Sequence, residues 1–301
     1  MKVSFIATVF NEEKTIKKFL ASLLAQTKQP EEIIIVDGGS VDNTVAEIKN
    51  AKGKKIKIFV SFGANRSQGR NLAIKKAGGE IIVTADGGCE LDKKWLEEIT
   101  KPFKNPTIDV VAGYYQPITK NTFQKCLACY TCVMKDQINP QDFLPSSRSI
   151  AFRKSAWQKV GGYPEKLNYC EDLVFAQKLK KAGLRFKFAP KATVYWPQRK
   201  NFSQAFRQFF NYASGDTQAL YWPHLKKVFL VFGRYLIGIL LLYYSLFTLL
   251  CSLFFIYCLW TIGKNYKYVK HPAAFFYLPL LQITADLAVM SGALRGLAKR
   301  I

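Results

Sequence analysis

Acidic and amide side chains in this sequence gather in four short stretches: Asn11-Glu12, Asp37-Gly38-Gly39-Ser40, Asp86-Gly87-Gly88-Cys89-Glu90 and Glu171-Asp172. Carboxylates take protons from hydroxyls and hold hard divalent cations through oxygen. Each stretch also has a plainer use. Asn11 is a good helix N-cap, Asp37 can close an Asx-turn with Ser40, and Glu171-Asp172 suits the positive end of a helix. Arg70, Arg148 and Arg199 can hold an anion or stand as ordinary solvated charges.

The elements that position these residues follow from hydrophobic patterning. Continuous apolar runs predict strands over Lys2 to Val9, Glu32 to Asp37, Ile56 to Val60 and Glu80 to Ala85. Helical stretches alternate with them: Asn11 to Ala25, Asp42 to Lys52, Asn65 to Ala77 (stopped by Gly78-Gly79), and one from Lys93 capped by Asp92. This rhythm predicts an α/β fold with a mostly parallel sheet covered on both faces. Ligands in such folds bind beyond the carboxyl ends of the strands, where the acidic stretches fall. Further on, the pattern is mixed: a strand at Asp109 to Tyr115, a helix at Thr122 to Asp136, a polar loop at Asn139 to Ser149, a short strand at Ile150 to Arg153, and a helix at Glu171 to Ala182. Asn201 to Leu220 reads as an amphipathic helix with Phe202, Phe206, Phe209 and Phe210 on one side.

Taken in order, the strand-end segments resemble the family-2 glycosyltransferases over about Lys2 to Leu220. The matching pieces are Ala7-Thr8-Val9-Phe10-Asn11-Glu12, Val36-Asp37-Gly38-Gly39-Ser40, Gly69-Arg70-Asn71 through Asp86-Gly87-Gly88, and Glu171-Asp172. The resemblance implies a GT-A fold and transfer of a sugar from a nucleotide-sugar to an acceptor hydroxyl, with inversion. It implies that Asp37 accepts the imide N–H of a uracil-like base, so a UDP-sugar is the favoured donor. Thr8, Asn11 and Glu12 would line the nucleoside pocket, and Arg70 would lie near the ribose and phosphates. Arg148 and Arg199 would bind the diphosphate. Asp172 would be the base that deprotonates the acceptor. Asp86 matches the first residue of the family's Asp-x-Asp motif, which holds Mn²⁺ or Mg²⁺ and the nucleotide. The second Asp is replaced by Gly88, and Glu90 is the carboxylate that can stand in for it. Gln198-Arg199 lacks the Gln-x-x-Arg-Trp signature of processive synthases, which favours single addition.

The last quarter is different. Tyr235 to Gly263 carries no charged residue, and roughly 20 apolar residues span a bilayer. The expected division is a transferase domain over 1–227 and a membrane region over 228–301, with one span at about 235–263. A second span or an interfacial helix is expected at about 273–294. The net charge of +23 over 301 residues suits an anionic leaflet or phosphorylated ligands. It does not argue for nucleic acid, because the basic residues are spread along the chain without a reader module. The seven cysteines are an odd number, read as cytosolic thiols. Cys126, Cys129 and Cys132 form a C-x2-C-x2-C run with no clear fourth metal ligand. The expected protein is a membrane-anchored enzyme facing the cytosol, with a membrane-borne lipid acceptor and a role in cell-envelope glycan synthesis. Loss of the second Asp keeps open a catalytically inactive scaffold of the same fold.

Overall fold

The structure is a computed structural model that describes residues 1–51 and 55–300; Lys52, the expected last residue of the second helix, lies outside them. The chain divides into two compact units, Met1–Ile118 with Lys135–Pro197, and Thr119–Met134 with Gln198–Ile301. The first unit ends at Pro197, and residues 198–227 lie with the second. The helix expected at Thr122 to Asp136 joins the second unit.

The first unit alternates β1 (Val3–Val9), α1 (Ile16–Leu24), β2 (Glu32–Asp37), α2 (Thr44–Asn50), β3 (Ile56–Val60), α3 (Arg66–Lys76), β4 (Ile81–Thr84), β5 (Glu90–Leu91) and α4 (Trp95–Thr100). After β6 (Val110–Ile118) and α5 (Thr122–Thr131, in the second unit) come β7 (Ile150–Arg153), α6 (Lys154–Lys159), α7 (Glu171–Lys181) and β8 (Phe186–Pro197). The strands form one sheet in the order β3-β2-β1-β4-β7-β6-β8-β5. Pairing is parallel across β3, β2, β1 and β4, antiparallel on both sides of β7, and parallel again between β6 and β8. Consecutive residues of a strand face opposite sides. Phe5 accordingly meets Phe19 and Trp95, whereas Ile6 joins Ile74, Phe175 and Leu179. Both faces of β1 are thus buried, as its continuous apolar run requires. The chain turns to opposite sides of β1 to make β2 and β4, so the carboxyl ends of β1 and β4 flank the switch point where such sheets bind ligands.

Three local expectations change. Asn11 is not a helix cap. It adopts a left-handed conformation (φ +52°), and its side-chain oxygen accepts from the Val41 N–H at 3.0 Å. The helix begins only at Ile16, after Thr15. Asp92 is not the cap of α4: it accepts the Lys94 N–H at 3.0 Å, and α4 opens at Trp95, two residues after the expected Lys93. The helix over the cysteine run stops at Thr131, five residues short.

The second unit contains α5, α8 (Phe202–Gln218), α9 (Trp222–Tyr243), α10 (Phe247–Val269) and α11 (Ala274–Ala298). The uncharged run expected as one span is two helices, α9 and α10, turned back at Tyr244–Ser245–Leu246, with Ser245 at φ +55°. Gly238 and Leu250 face each other across the turn, as do Arg234 and Tyr257, so the two helices are antiparallel. Among the described residues, two helices, α10 and α11, are long and apolar enough to cross a membrane. One side of α11 is taken by α8. A Cβ on Gly292 or Gly296 would lie 2.2 Å from the Phe210 carbonyl oxygen or 2.5 Å from that of Ser214, the close backbone approach that small-x3-small spacing permits.

Gly113 is the tightest point of the sheet. It sits at the register irregularity between β6 and β8, where a Cβ would lie 2.0 Å from Ser149 Oγ and 2.7 Å from the Ala192 carbonyl. The Ser149 hydroxyl is committed there, accepting from Trp95 Nε1 at 2.9 Å. Gly113→Ala is expected to destabilise the fold by about 1–3 kcal/mol. Thermal melting of the purified chain measures this, and an unchanged midpoint contradicts it.

Candidate active site

The site residues of the first unit meet at the carboxyl ends of β1, β2 and β4. Asp37, at the end of β2, is fully buried. Its Oδ1 accepts the Gly39 and Ser40 N–H groups at 2.9 and 2.8 Å, and its Oδ2 accepts the Ser40 hydroxyl at 2.5 Å. The plain Asx-turn geometry is therefore present, and Oδ2 keeps a lone pair for another donor. Ser40 also accepts the Asn11 N–H at 2.8 Å, which joins the β1 and β2 loops. Thr8 is half-buried on β1, against Gly69 of α3, where a Cβ would come within 2.7 Å of its Cγ2. Glu12 donates its N–H to Thr44 Oγ1 at 2.7 Å, and its carboxylate accepts the Thr15 hydroxyl.

Arg70 is not turned toward open space. Its side chain is 2% exposed. Nη2 donates to Asp86 Oδ1 at 2.9 Å and Nη1 to Glu171 Oε1 at 2.8 Å. Its guanidinium also lies 5.3 Å from the Tyr163 ring centroid. One buried cation thus joins three elements: α3, the end of β4 and the start of α7. Asp86 is 34% exposed and faces a second cation, Arg148, whose Nε is 3.9 Å from Oδ2. Burial opposes the charge on Asp86, but Arg70, Arg148 and Arg66 hold its carboxyl below the usual range. Burial pushes the Glu171 carboxyl up, with Arg70 pulling against it.

The Glu171-Asp172 pair splits its duties. Glu171 points inward to Arg70, while Asp172 faces the loop before β7. There its Oδ2 accepts the Ser146 hydroxyl at 2.8 Å and the Ser147 N–H at 3.4 Å. Arg148 stacks 4.0 Å above the Trp196 ring and 5.4 Å from that of Tyr115. It also donates to Ser146 Oγ at 3.0 Å. Arg199 belongs to the second unit, where its Nε donates to Gln208 Oε1 at 3.3 Å. The sequence reading missed Ser146 and Trp196 as site residues and gave Glu171 no separate role. Ser146 lies in the polar loop with Arg148, and Trp196 stands two residues before Gln198.

The donor set at the end of β4 fits a hard divalent cation that takes most of its ligands from substrate phosphates and water. Among the described residues no three His, Cys, Asp or Glu side chains could hold a metal by themselves. Asp86 keeps an accessible carboxylate. At Gly88, the missing second Asp, a Cβ would stand 3.7 and 3.9 Å from the two Glu12 carboxylate oxygens, and no Glu90 atom comes within 4 Å. Glu90 instead lies 4.0 Å from Lys18 of α1. Glu12 is thus the carboxylate nearest the Gly88 position.

The model of glycosyl transferase family 2 matches residues 4–160. Poly-beta-1,6-N-acetyl-D-glucosamine synthase of Staphylococcus epidermidis is 24% identical over 299 residues, covering 94% of this chain and 71% of the synthase. The S. aureus TarS structure aligns at a TM-score of 0.55 and 22% identity, covering 71% of this chain and 64% of that one, so this chain spans under two thirds of TarS. The Pyrobaculum calidifontis mannosyltransferase PcManGT, solved with GDP-Man and Mn²⁺, aligns at 0.56 and 16% identity over 99% of this chain and 74% of its own. At these identities the two structures speak for the fold alone, a GT-A fold with apolar C-terminal helices. With the family model spanning more than half of the chain, from β1 through β7 and including Asp37, Arg70, Asp86 and Arg148, this chain belongs to glycosyl transferase family 2.

Proposed function

We propose that this glycosyltransferase moves a sugar from a nucleoside-diphosphate sugar to an acceptor hydroxyl by one displacement that inverts the anomeric carbon. The observation that carries this reading is Asp172, a half-buried carboxylate at a helix start, linked through Ser146 and Arg148 to Asp86. In the reaction the acceptor O–H gives its proton to Asp172 as its oxygen bonds to the anomeric carbon. The bond from that carbon to the diphosphate breaks with its electron pair, leaving a nucleoside diphosphate. Arg148 is the cation beside Asp86 best able to meet the charge growing on the leaving group. Asp86 and Glu12 would hold a divalent cation, whose chemistry when bound is to neutralise diphosphate charge. A uridine donor is favoured because Asp37 Oδ2 can take an imide N–H, and the absence of a Gln-x-x-Arg-Trp signature favours single addition.

The second unit supports a membrane location. Leu236, Ile239 and Leu240 on α9 and Phe254, Phe255 and Ile256 on α10 are exposed apolar side chains, an area too large for a water-facing surface. The hairpin's lysines lie toward its open end: Lys226 and Lys227 on α9, and Lys264, Lys267 and Lys270 at the end of α10, while Arg234 further along α9 is paired with Asp286. The turn carries no charge. We read α9 and α10 as a hairpin inserted into the bilayer with both lysine clusters on the cytosolic side, the side that holds nucleotide sugars and anionic lipid. A membrane-held transferase most simply serves a lipid-borne acceptor, as in synthesis of cell-envelope glycans.

Asp172→Asn is expected to lower transfer at least about 10²-fold with donor binding nearly intact; near wild-type turnover in steady-state kinetics removes Asp172 from this role. Mn²⁺ is expected to tighten binding of UDP in calorimetry. That gain should vanish in Asp86→Ala and fall more in Glu12→Ala than in Glu90→Ala; equal gains in all of them would refute the assignment. For topology, intact cells are treated with a membrane-impermeant amine reagent and the peptides are read by mass spectrometry. The hairpin leaves Lys264, Lys267 and Lys270 as unlabelled as Lys17, whereas labelling of that trio alone means a single crossing.

A further inference from the structure

Asp172 is held in one orientation by a side chain outside the pair of carboxylates. A serine hydroxyl has one proton and two lone pairs. Arg148 Nη1 donates to Ser146 Oγ at 3.0 Å, and the Arg148 backbone N–H approaches the same oxygen at 3.4 Å. With donors occupying the lone-pair side, the single Ser146 proton is directed to Asp172 Oδ2 at 2.8 Å. The Ser147 N–H backs the same oxygen, and Asp172 Oδ1 takes the Leu173 N–H at 2.9 Å. The carboxylate plane is therefore fixed from both sides. Arg148 cannot swing freely, because it is stacked on Trp196 and drawn toward Asp86.

We propose that Ser146 is the positioning residue of the base: it transmits the placement of Arg148 to the Asp172 carboxylate, so that the group near the leaving diphosphate and the group that takes the acceptor proton are set by one hydroxyl. This rests on the reading of Asp172 as the base. The order of the chain is Trp196, Arg148, Ser146, Asp172, and only the last touches the reacting hydroxyl. A serine here does what neither alanine nor a larger amide can do, since it must accept from an arginine and donate to a carboxylate within one oxygen's reach. Loss of a hydrogen bond to a charged group is worth about one tenfold step or slightly more in rate.

The test is steady-state transfer by the full chain carrying Ser146→Ala, Ser146→Thr, Asp172→Asn and the Ser146→Ala/Asp172→Asn pair. Ser146→Ala is expected to lower kcat about tenfold or more while donor KM stays within about twofold. Ser146→Thr, which keeps the hydroxyl, restores kcat to within about threefold. The double variant is no slower than Asp172→Asn alone, because the serine acts only through the aspartate. Should Ser146→Ala lose its melting transition, Ser146→Cys carries the same expected fall in kcat. Full kcat in a folded Ser146→Ala, a rise in donor KM in place of the fall in kcat, or a further loss in the double variant overturns the positioning role. An active Asp172→Asn instead overturns the base assignment itself, so the two failures are told apart.

Discussion

The site depends on a buried arginine having two carboxylates to satisfy it. A desolvated guanidinium left with one partner, or a desolvated carboxylate left with none, is strongly destabilising, so Arg70 obliges Asp86 and Glu171 to converge on it. Those two residues belong to segments 85 positions apart in sequence. They reach a common point only because β4 is central in the sheet and α7 packs Phe175 and Leu179 on the same face as Ile74 of α3. Gly69, next to Arg70, lets α3 lie against Thr8 of β1. The apolar core thus sets the height of α3, and α3 in turn sets where its arginine ends.

This clamp leaves the rest of the cluster its freedom. With Arg70 consumed inside, the cation that can meet an incoming anion is Arg148, held by an aromatic face and a serine instead of by a buried pair. With Glu171 consumed inside, Asp172 is the carboxylate of the pair that we propose for proton transfer. Adjacent residues of a helix start face different directions, and here one supports the scaffold while its neighbour faces the chemistry. Arg70 and Glu171 form the buried half of the cluster, whereas Arg148, Asp86 and Asp172 keep partly exposed side chains.

Much of this could be read from the chain. Fully buried parallel strands need unbroken apolar runs, and the polar residues that end them must lie at the ligand-binding edge, so β1 to β4 and their terminal residues were legible. Arg70 was legible as a site residue but not as a buried one, because nothing local distinguishes a clamped arginine from a solvated one; its partners are distant in sequence. Asn11 has the composition of a cap, yet its side chain is taken by Val41, a contact made by the β2 loop. The strand β8 was missed although Ala192, Val194 and Trp196 alternate as buried positions; Pro190 and the lysines around it hide the period. That omission also concealed Trp196, the ring on which Arg148 rests.

The second unit marks a different limit. Hydropathy counts apolar residues but cannot tell what covers them. The run from Tyr235 to Gly263 is long enough for one crossing, and its turn at Ser245 contains neither glycine nor proline, so nothing in composition announces the reversal. Once the chain does reverse, Arg234 on α9 comes to Asp286 of α11 at 3.0 Å, with Tyr257 of α10 donating to the same carboxylate at 2.7 Å and lying under the guanidinium. Asp286, inside the stretch expected as a second span or interfacial helix, is the point where three helices are tied together. α11 then spends its small residues, Gly292 and Gly296, against α8, while α9 and α10 keep most of their apolar side chains exposed. The same apolar composition serves as core in one helix and as exposed surface in its neighbours, and the Arg234–Asp286 ion pair and two glycines accompany the difference.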